Sequence, residues 1–245
     1  MDQKLKELVA TYINVPGDQI TADTVIDRSK VSSSIVLHRM YAKLAENGYK
    51  VDDYWNIKTF GGLLSQNSGG IAAQEPGKTK PIVDKSATGV STGIDIEEIS
   101  AMPVVDDFRE DEFYRMNFSP AEISHCILQN NPYASFAGLF ALKEAIIKCD
   151  NSFKNRELNS IIIEHSPLGK PKFGNFQVTL SHTDKVAVAM AILIDREFFL
   201  AATPAEEHTP VVQEPVKRSW NFVAWFAVLI SLISIALTIF YINQL

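Results

Sequence analysis

Glu144 and Lys148 are the two residues whose types and spacing most directly suggest chemistry. They lie four apart in the segment FAGLFALKEAIIK. Because an α-helix turns once every 3.6 residues, both side chains would project from the same helix face. A carboxylate that binds a cation and an ammonium that meets a phosphate could then share one site. The spacing also leaves open a salt bridge on a solvated helix surface.

Three further segments place polar residues before and after this helix. They are GIDIEEI from Gly93, with Asp95, Glu97 and Glu98; GKP from Gly169, with Lys170; and TLSHT from Thr179, with His182. Each segment is ordinary by itself, since a strand that ends in charge, a tight turn and a lone histidine all have structural explanations. Their order and spacing along the chain are less ordinary.

Together these segments resemble the holo-acyl-carrier-protein synthase family of 4'-phosphopantetheinyl transferases. That family shows a GIDIxEI strand, an FAxxFAxKEAxxK helix, a GKP turn and an SxSH strand. The segment FSPAEISHC, from Phe118, is similar to the family's F(T/S)xxEIxxC segment, and the likeness extends from Gly89 to Asp195. The resemblance implies a magnesium-dependent enzyme that transfers 4'-phosphopantetheine from coenzyme A to a serine of an acyl or peptidyl carrier protein.

The resemblance also implies roles for single residues. Asp95 and Glu144 match the family's metal ligands, and Mg²⁺ usually takes one or two carboxylates together with substrate phosphates. Glu144 or a metal-bound water would accept the proton of the acceptor serine. Lys148, Lys170 and His182 would bind the coenzyme, Lys170 at its 3'-phosphate. The implied catalytic residues are Glu144, Lys148 and His182.

Four other residues bear on this assignment. Glu97 or Glu98 could add a water-mediated contact to the metal, although exposed charge at the end of a strand is the other interpretation. Leu139 stands where the family commonly has arginine, and Ala101 stands where it has a basic residue. These two departures motivate a second hypothesis, a non-catalytic, membrane-tethered scaffold with a degenerate transferase fold and a carrier-like docking domain.

The predicted fold class is α+β, a single transferase module over residues 89–198. A small, largely antiparallel sheet is expected from segments near 90–96, 160–165 and 178–193, packed on the long helix. The apolar residues Phe136, Ala137, Phe140, Ala141 and Ala145 would anchor that helix to the sheet. Since the module is present once, it resembles the smaller class of the family, in which homotrimers form sites at subunit interfaces.

Residues 1–66 have a helical pattern and resemble an acyl-carrier-like bundle. Apolar residues recur at helical spacing in three runs, at 5–13, 35–44 and 60–64. In carrier domains a serine at the start of the second helix receives phosphopantetheine, so Ser34 is the first candidate acceptor and Ser33 the second. The aspartate that usually precedes this serine is missing here. An N-cap cluster on a bundle that serves only for docking or packing is the alternative.

Two linkers and a membrane span complete the predicted organisation. Residues 67–88 and 199–218 are rich in glycine, proline or charge and are expected to be extended tethers. The predicted membrane helix covers residues 219–243. From Trp220 to Ile242 it contains no charged side chain, and a helix of that length spans roughly 34 Å, enough for a bilayer core. Lys217 and Arg218 precede it, which predicts a tail anchor with the preceding domains in the cytoplasm.

Composition restricts the partners. The formal charge is -6 and the pI is near 5.4, so a nucleic-acid-binding surface is not expected. The two cysteines, Cys126 and Cys149, have no metal-ligand spacing and are expected to be small buried residues in a reducing compartment.

Overall fold

The computed structural model describes residues 3–52, 54–67 and 89–195, all of which belong to one compact unit. The predicted α+β class is confirmed: three helices precede a domain that combines three more helices with antiparallel strands. We call residues 3–67 the N-terminal bundle and residues 89–195 the α+β domain. Of the predicted tether at 67–88 only Asn67 is described, and it is the last residue of a helix. The rest of that tether, the predicted tether at 199–218 and the predicted membrane span at 219–243 lie outside the described residues.

The N-terminal bundle has the three helices that its apolar spacing predicts. They are α1 (Gln3–Ile13), α2 (Ser34–Glu46) and α3 (Phe60–Asn67). Helix α1 buries Leu5, Val9 and Ile13, which recur at intervals of four residues. Asn47 is the C-cap of helix α2, and Gly48 follows with φ +80, a conformation that glycine adopts without steric cost.

The main sheet has three antiparallel strands. They are β1 (Val90–Glu98), β4 (Gln177–His182) and β5 (Val186–Ile194), in the order β1-β5-β4. Asp95 is paired with Ala189, which is paired in turn with Leu180 on the other neighbour. A separate two-stranded ribbon joins β2 (Glu164–His165) to β3 (Pro171–Lys172).

One segment does not join the main sheet as expected. Residues 160–165 begin at a short 3-10 turn, and only Glu164 and His165 form a strand, in the ribbon. The backbone N–H of Ile163 donates to the Glu122 carboxylate at 2.9 Å. This N–H is therefore not available to pair with a neighbouring strand. Ile161 and Ile163 are buried in the hydrophobic core from this irregular segment.

The long helix α6 (Pro132–Cys149) covers one face of the sheet, and the shorter helices α4 (Glu112–Asn117) and α5 (Pro120–Ile127) pack against α6. The side chain of Asn131 caps α6, and Pro132 occupies its first turn, where its missing N–H costs no helical hydrogen bond. Most of α6 is buried. Its position between the sheet and the other helices explains why apolar residues occur on more than one of its faces.

The prediction that the apolar residues of α6 anchor this helix to the sheet was partly wrong. Phe136 and Phe140 are buried, but their rings pack on aromatic residues of the neighbouring helices, including Phe113, Tyr114 and Phe118. The sheet instead meets small residues: a side chain at Gly138 would meet Leu180, and a side chain at Gly93 would meet Ala145. Small residues allow the helix and the strands to approach closely.

The N-terminal bundle packs against the α+β domain through α2. Ile35 and Ala42, both on α2, are buried in the same hydrophobic cluster as the core of the α+β domain. Met116 of α4 packs in return against the core of the bundle. In the three described stretches of the chain, no helix has the length and apolar character that crossing a bilayer requires.

Candidate active site

The centre of the site is an ion pair between Asp95 and Lys148 where β1 crosses α6. The Lys148 ammonium lies 2.5 Å from a carboxylate oxygen of Asp95 and donates a second hydrogen bond to the carbonyl of Ile94 at 3.2 Å. The Asp95 side chain is 1% exposed and that of Lys148 is 41% exposed. The pair therefore joins a buried carboxylate to an ammonium that solvent or a ligand can reach.

Gly93 explains why this crossing is so close. A Cβ at this position would lie 2.0 Å from the carbonyl oxygen of Ala145 and 2.6 Å from the backbone nitrogen of Cys149. Only a residue without a side chain lets the strand backbone touch the helix backbone here. Asp95 follows two residues later on the same face of the strand, which brings its carboxylate to Lys148.

Glu144 lies one helical turn before Lys148 and is partly buried. It helps to line a cavity of about 360 Å³ between α6 and the N-terminal bundle. The same cavity is lined by Ser34, Tyr41 and Tyr54 of the bundle. The structure thus connects the helix of the predicted metal site with the serine that the sequence predicts as an acceptor.

Asp95 and Glu144 provide oxygen donors of the kind that Mg²⁺ prefers. Within the described residues, no group of three or more His, Cys, Asp or Glu side chains could hold a metal. Two carboxylates nevertheless fit Mg²⁺, because this ion usually retains waters and binds substrate phosphates in addition to one or two carboxylates. The donor set is suited to a metal that arrives with a phosphorylated substrate.

Lys170 and His182 lie at exposed ends of other elements. Lys170 follows a tight turn in which Gly169 has φ +79 and the backbone N–H of Ser166 donates to the Lys170 carbonyl at 2.8 Å. His182 is the last residue of β4, and its Nδ1 lies 3.0 Å from the carbonyl of Thr183. Within the described residues, neither side chain has a hydrogen bond or ion pair with Asp95, Glu144 or Lys148.

The two glutamates after Asp95 have different environments. Glu97 is 1% exposed on the helix side of β1, whereas Glu98 is exposed. Exposed strand-end charge is therefore the wrong interpretation for Glu97, because the two-residue alternation of the strand turns it to the same side as Asp95. The interpretation holds for Glu98.

The two departures from the family pattern have definite places. Leu139 is 2% exposed in the core of the α+β domain, where an apolar side chain is well accommodated. The carbonyl of Ala101 accepts a hydrogen bond at 3.0 Å from the Arg39 guanidinium of α2. Arg39 of the bundle thus places a basic side chain next to Ala101, the position at which the family commonly has a basic residue.

No motif in the sequence indicated a role for Lys143, whose side chain is fully buried one residue before Glu144. Its ammonium is fully buried and donates to the Glu122 carboxylate at 2.8 Å and to the carbonyls of Asn117 and Leu158 at 2.8 and 2.9 Å. Burial lowers the pKa of Lys143, while the charge of Glu122 opposes that shift. Apolar neighbours at 139, 140 and 146, three or four positions away, were the signal that this lysine lies on a buried face.

His38, which belongs to none of the motifs in the sequence, connects the bundle to this network. Its Nδ1 lies 2.5 Å from the side-chain oxygen of Asn117, and its ring packs edge-on against Tyr54 and Phe140. Burial lowers the pKa of His38 to about 4, so the ring is neutral near pH 7 and Nδ1 donates to the Asn117 oxygen. The contact is a positioning contact, since His38 touches neither Asp95 nor Lys148.

Ser33 and Ser34, at the start of α2, have different structural roles. Ser33 is the N-cap, and its hydroxyl oxygen accepts the N–H of Val36 at 3.4 Å. Ser34 is the first helical residue, is 4% exposed and lines the cavity with Glu144. The N-cap interpretation is thus confirmed for Ser33. Both cysteines are buried as expected, and burial raises the pKa of each thiol.

Comparison with known proteins identifies the α+β domain. The family model of the 4'-phosphopantetheinyl transferase superfamily matches residues 91–203. A holo-[acyl-carrier-protein] synthase of Cytophaga hutchinsonii is 34% identical over 122 residues, and the match covers 41% of this chain and 93% of that protein. The corresponding protein of Chlorobaculum parvum is 32% identical over 111 residues, with 41% and 95% covered.

A longer protein also matches. The fatty acid synthase subunit alpha of Candida albicans is 28% identical over 146 residues, which covers 52% of this chain but 7% of that subunit. The chain therefore spans only a small part of the length of that subunit. Among solved structures, holo-[acyl-carrier-protein] synthase of Thermotoga maritima has 28% identity and a TM-score of 0.36, with 43% of this chain and 64% of that chain covered.

Two synthases that are more than 30% identical are matched over nearly their whole length. The family model covers residues 91–203, which include Asp95, Glu144 and Lys148. The chain therefore belongs to the 4'-phosphopantetheinyl transferase superfamily and is an enzyme of the holo-[acyl-carrier-protein] synthase type.

Proposed function

We propose that the protein transfers 4'-phosphopantetheine from coenzyme A to a serine of an acyl or peptidyl carrier domain, that the reaction depends on Mg²⁺, and that it takes place at a membrane. The observation that carries the chemical part is the crossing of β1 and α6, where Lys148 contacts Asp95 and Glu144 lies one turn away. The names of the matched synthases support the choice of carrier proteins as acceptors.

The residues at the crossing suit attack on a pyrophosphate. Asp95 and Glu144 would hold Mg²⁺, which when bound neutralises phosphate charge and favours in-line displacement. The Lys148 ammonium would contact a phosphate oxygen as it exchanges part of its interaction with Asp95. Glu144 lines the cavity between α6 and the N-terminal bundle. From there it would accept the proton of the acceptor serine hydroxyl.

The assay for this function uses the full-length chain, coenzyme A, and a panel of separate acyl and peptidyl carrier proteins. We expect intact-mass spectrometry to detect one phosphopantetheine arm on at least one carrier with MgCl₂ and none with excess EDTA. Transfer that persists in EDTA would contradict the role of the metal. Coenzyme A binding without transfer to any acceptor would instead support the scaffold hypothesis.

A homotrimer is the second part of the proposal. Lys170 and His182 are exposed, and within the described residues neither side chain contacts Asp95, Glu144 or Lys148, so a neighbouring subunit could bring them to the coenzyme. The sheet face opposite α6 also exposes large apolar side chains: Ile94 is 61% exposed and Ile96 is 60% exposed. Exposed apolar surface of this kind is typical of an interaction site.

Light scattering coupled to size exclusion, on the full-length chain in detergent, tests the trimer. Ile94→Lys should convert trimers to monomers, because it places a charge in an apolar contact. Val104→Lys is the matched control, since Val104 is exposed on a loop outside the sheet. A wild-type chain that is monomeric at all concentrations, or a trimer that Ile94→Lys leaves intact, would refute this arrangement.

Membrane attachment is the third part and rests on residues 219–243, which lack charged side chains. We expect the full-length chain to resist extraction from membranes by alkaline carbonate. A chain that stops before residue 219 should be found in the soluble fraction. Extraction of both forms by carbonate alone would contradict a spanning helix.

A further inference from the structure

Helix α2 of the N-terminal bundle is fixed to the catalytic domain by contacts far apart in sequence. His38 meets Asn117 across 79 positions, and Arg39 donates to the Ala101 carbonyl across 62 positions. Ile35 is fully buried in the core of the α+β domain. Because these contacts bury polar and apolar groups of one helix together, α2 has a defined position relative to α6 and β1.

This position determines where the first residues of α2 lie. Ser34 is buried at the helix start, next to the interface residue Ile35. The Ser33 hydroxyl is occupied in capping the helix, but the Ser34 hydroxyl has no side-chain hydrogen bond with another described residue. Of the serines at 32–34, Ser34 is therefore the one that is buried at the interface and whose hydroxyl does not cap the helix.

The cavity beside Ser34 is shared with the catalytic helix. It has a volume of about 360 Å³, within the range of ligand pockets, and Glu144 and Ile147 line it from α6. The Tyr41 hydroxyl also lines it, is buried, and has no hydrogen-bond partner within the described residues. Lys58, Lys154 and Arg156 add positive charge to its lining. The carboxylates of Asp27 and Glu144 offset part of this charge. Hydroxyls and an excess of cations around one cavity suit a phosphorylated ligand.

We propose that Ser34 is a phosphopantetheine attachment site and that the transferase domain of the same chain modifies it within the docked structure. This inference rests on the proposed function, and it assigns the enzyme an acceptor that is part of its own chain. The carrier-like bundle is then a bound substrate of the domain it contacts, and its helix α2 is already in place before coenzyme A arrives.

The chemical step is a displacement at phosphorus. The Oγ of Ser34 forms a bond to the phosphorus atom nearer the pantetheine, and the anhydride bond to the adenosine half breaks. Adenosine 3',5'-bisphosphate leaves with the bonding electron pair. The hydroxyl proton passes to the Glu144 carboxylate and from there to solvent, so the products are a serine phosphodiester and the nucleotide, with no redox change.

Docking within one chain has a kinetic consequence. A serine held in the cavity does not have to meet a separate acceptor molecule. As long as the oligomeric state does not change, the rate is therefore independent of protein concentration, as for any intramolecular reaction. The docked bundle also occupies the place that a separate carrier serine would need. Self-modification should therefore precede transfer to external carriers.

The test incubates the full-length chain with coenzyme A and MgCl₂ and follows intact mass with time, then maps the modified peptide. We expect one arm per chain on Ser34, with a half-time unchanged by dilution of about tenfold. Ser34→Ala should abolish the gain. Ser32→Ala, at an exposed serine of the same cluster, is the matched control and should retain it.

A mixing experiment checks that the reaction occurs within one chain. Chains with Ser34→Ala supply an intact catalytic site, and chains with Glu144→Ala supply an intact serine. After mixing, we expect no arm on Ser34 of the Glu144→Ala chains. An arm at that position, or a half-time that shortens with concentration, would overturn modification within the chain.

The same preparation is assayed in parallel on separate carrier proteins, which distinguishes the two proposals. External carriers that gain the arm while Ser34 remains unmodified would refute the Ser34 assignment and leave the proposed function intact. An arm mapped to Ser33 would refute the choice between the serines. The absence of any transfer, internal or external, would refute both proposals.

Discussion

At the residue scale, the Asp95–Lys148 pair combines two opposite environments. The Asp95 carboxylate is buried between strand and helix, whereas the Lys148 side chain is partly exposed to solvent. A buried carboxylate that loses its cation would carry a large desolvation cost, so Lys148 stabilises this contact between strand and helix. In the proposed reaction Lys148 would turn toward a phosphate, because its flexible stem lets the ammonium move.

Asp95→Asn tests this assignment with little change in shape. We expect kcat to fall at least about 100-fold, because the neutral amide neither binds the cation as strongly nor pairs with Lys148. Steady-state assays of arm transfer at several MgCl₂ concentrations measure the effect. Glu110→Gln, an exposed acid in a loop, is the control and should retain near-wild-type kcat. Full activity of Asp95→Asn at low MgCl₂ would exclude Asp95 as a metal ligand.

At the element scale, helix α6 carries two lysines with opposite tasks. Lys148 faces the site, whereas Lys143, next to Glu144, is fully buried in a pocket made by α5 and the end of α4. The Lys143 ammonium meets Glu122, which also closes the capping box of α5 through the Ser119 N–H. This network fixes the rotation and axial position of α6, and with them the direction of Glu144.

Lys143→Met should reduce the free energy of unfolding by about 3–5 kcal/mol, because it leaves the buried charge of Glu122 without its cation. Urea denaturation followed by circular dichroism measures the change. The control is Lys43→Met, which removes a surface pair with Glu46 at 2.7 Å and should cost about 0–1 kcal/mol. Equal effects for the two variants would mean that the buried network contributes little.

Gly93→Ala should damage stability and activity together. The new Cβ would lie 2.0 Å from a backbone oxygen of α6, which no side-chain rotation can relieve, so strand and helix must separate. We expect a loss of about 3 kcal/mol or more in unfolding free energy and a displaced Asp95.

The matched control for this change is Gly62→Ala in α3. A Cβ there has only an ordinary contact, at 3.7 Å from the Thr59 hydroxyl, and alanine favours the helix by about 0.5–1 kcal/mol. Thermal unfolding and arm transfer are measured for both variants. A Gly93→Ala protein as stable as the wild type would show that the helix–strand contact is looser than described.

At the scale of the whole molecule, a continuous polar chain joins the bundle to the catalytic domain. It runs from His38 to the side chain of Asn117, then from the Asn117 carbonyl to Lys143 and Glu122. Each link is buried. The position of the bundle is therefore coupled to the same network that orients α6, which gives the docked state a sensitivity to the charge of His38.

Mild acid should weaken this docked structure. Burial lowers the pKa of His38 from 6.5 to about 4, so between these values the unfolded chain binds more protons at this site than the folded chain. Stability from His38 is full above pH 6.5 and falls as pH decreases toward 4, by about 3 kcal/mol in total. The groups around it are Asn117, Tyr54 and Phe140, with Asp27, Glu144 and the cations Lys58, Lys154 and Arg156 along the adjacent cavity.

Urea denaturation of wild type and His38→Gln at pH values from 4 to 8 isolates this contribution. The burial of His165 also lowers its pKa, so part of the acid sensitivity is common to both proteins. The difference between the two unfolding free energies should shrink as pH falls, since glutamine does not titrate. A difference that stays constant with pH would mean that His38 is not held neutral by the fold.

Local patterns in the sequence determined much of this protein. The spacing of apolar residues predicted α1, α2, α3 and α6 because helical periodicity is a property of neighbouring residues. The GKP turn followed from a glycine before a proline in the same way. The order of the motifs identified the transferase domain and predicted Asp95, Glu144 and Lys148 as site residues. The contacts of these residues could not be predicted from the sequence, because an ion pair between residues 53 positions apart depends on how strand and helix cross.

Tertiary structure decided which side of β1 is buried. Alternation along this strand would place Ile94 and Ile96 inside if hydrophobicity alone acted, yet these two are exposed while Asp95 and Glu97 face the helix. The close backbone contact at Gly93 and the ammonium of Lys148 stabilise the inverted arrangement. Tertiary structure likewise brought Ser34 and Glu144 to one cavity, because the packing of α2 against the α+β domain depends on contacts between residues that no local pattern connects.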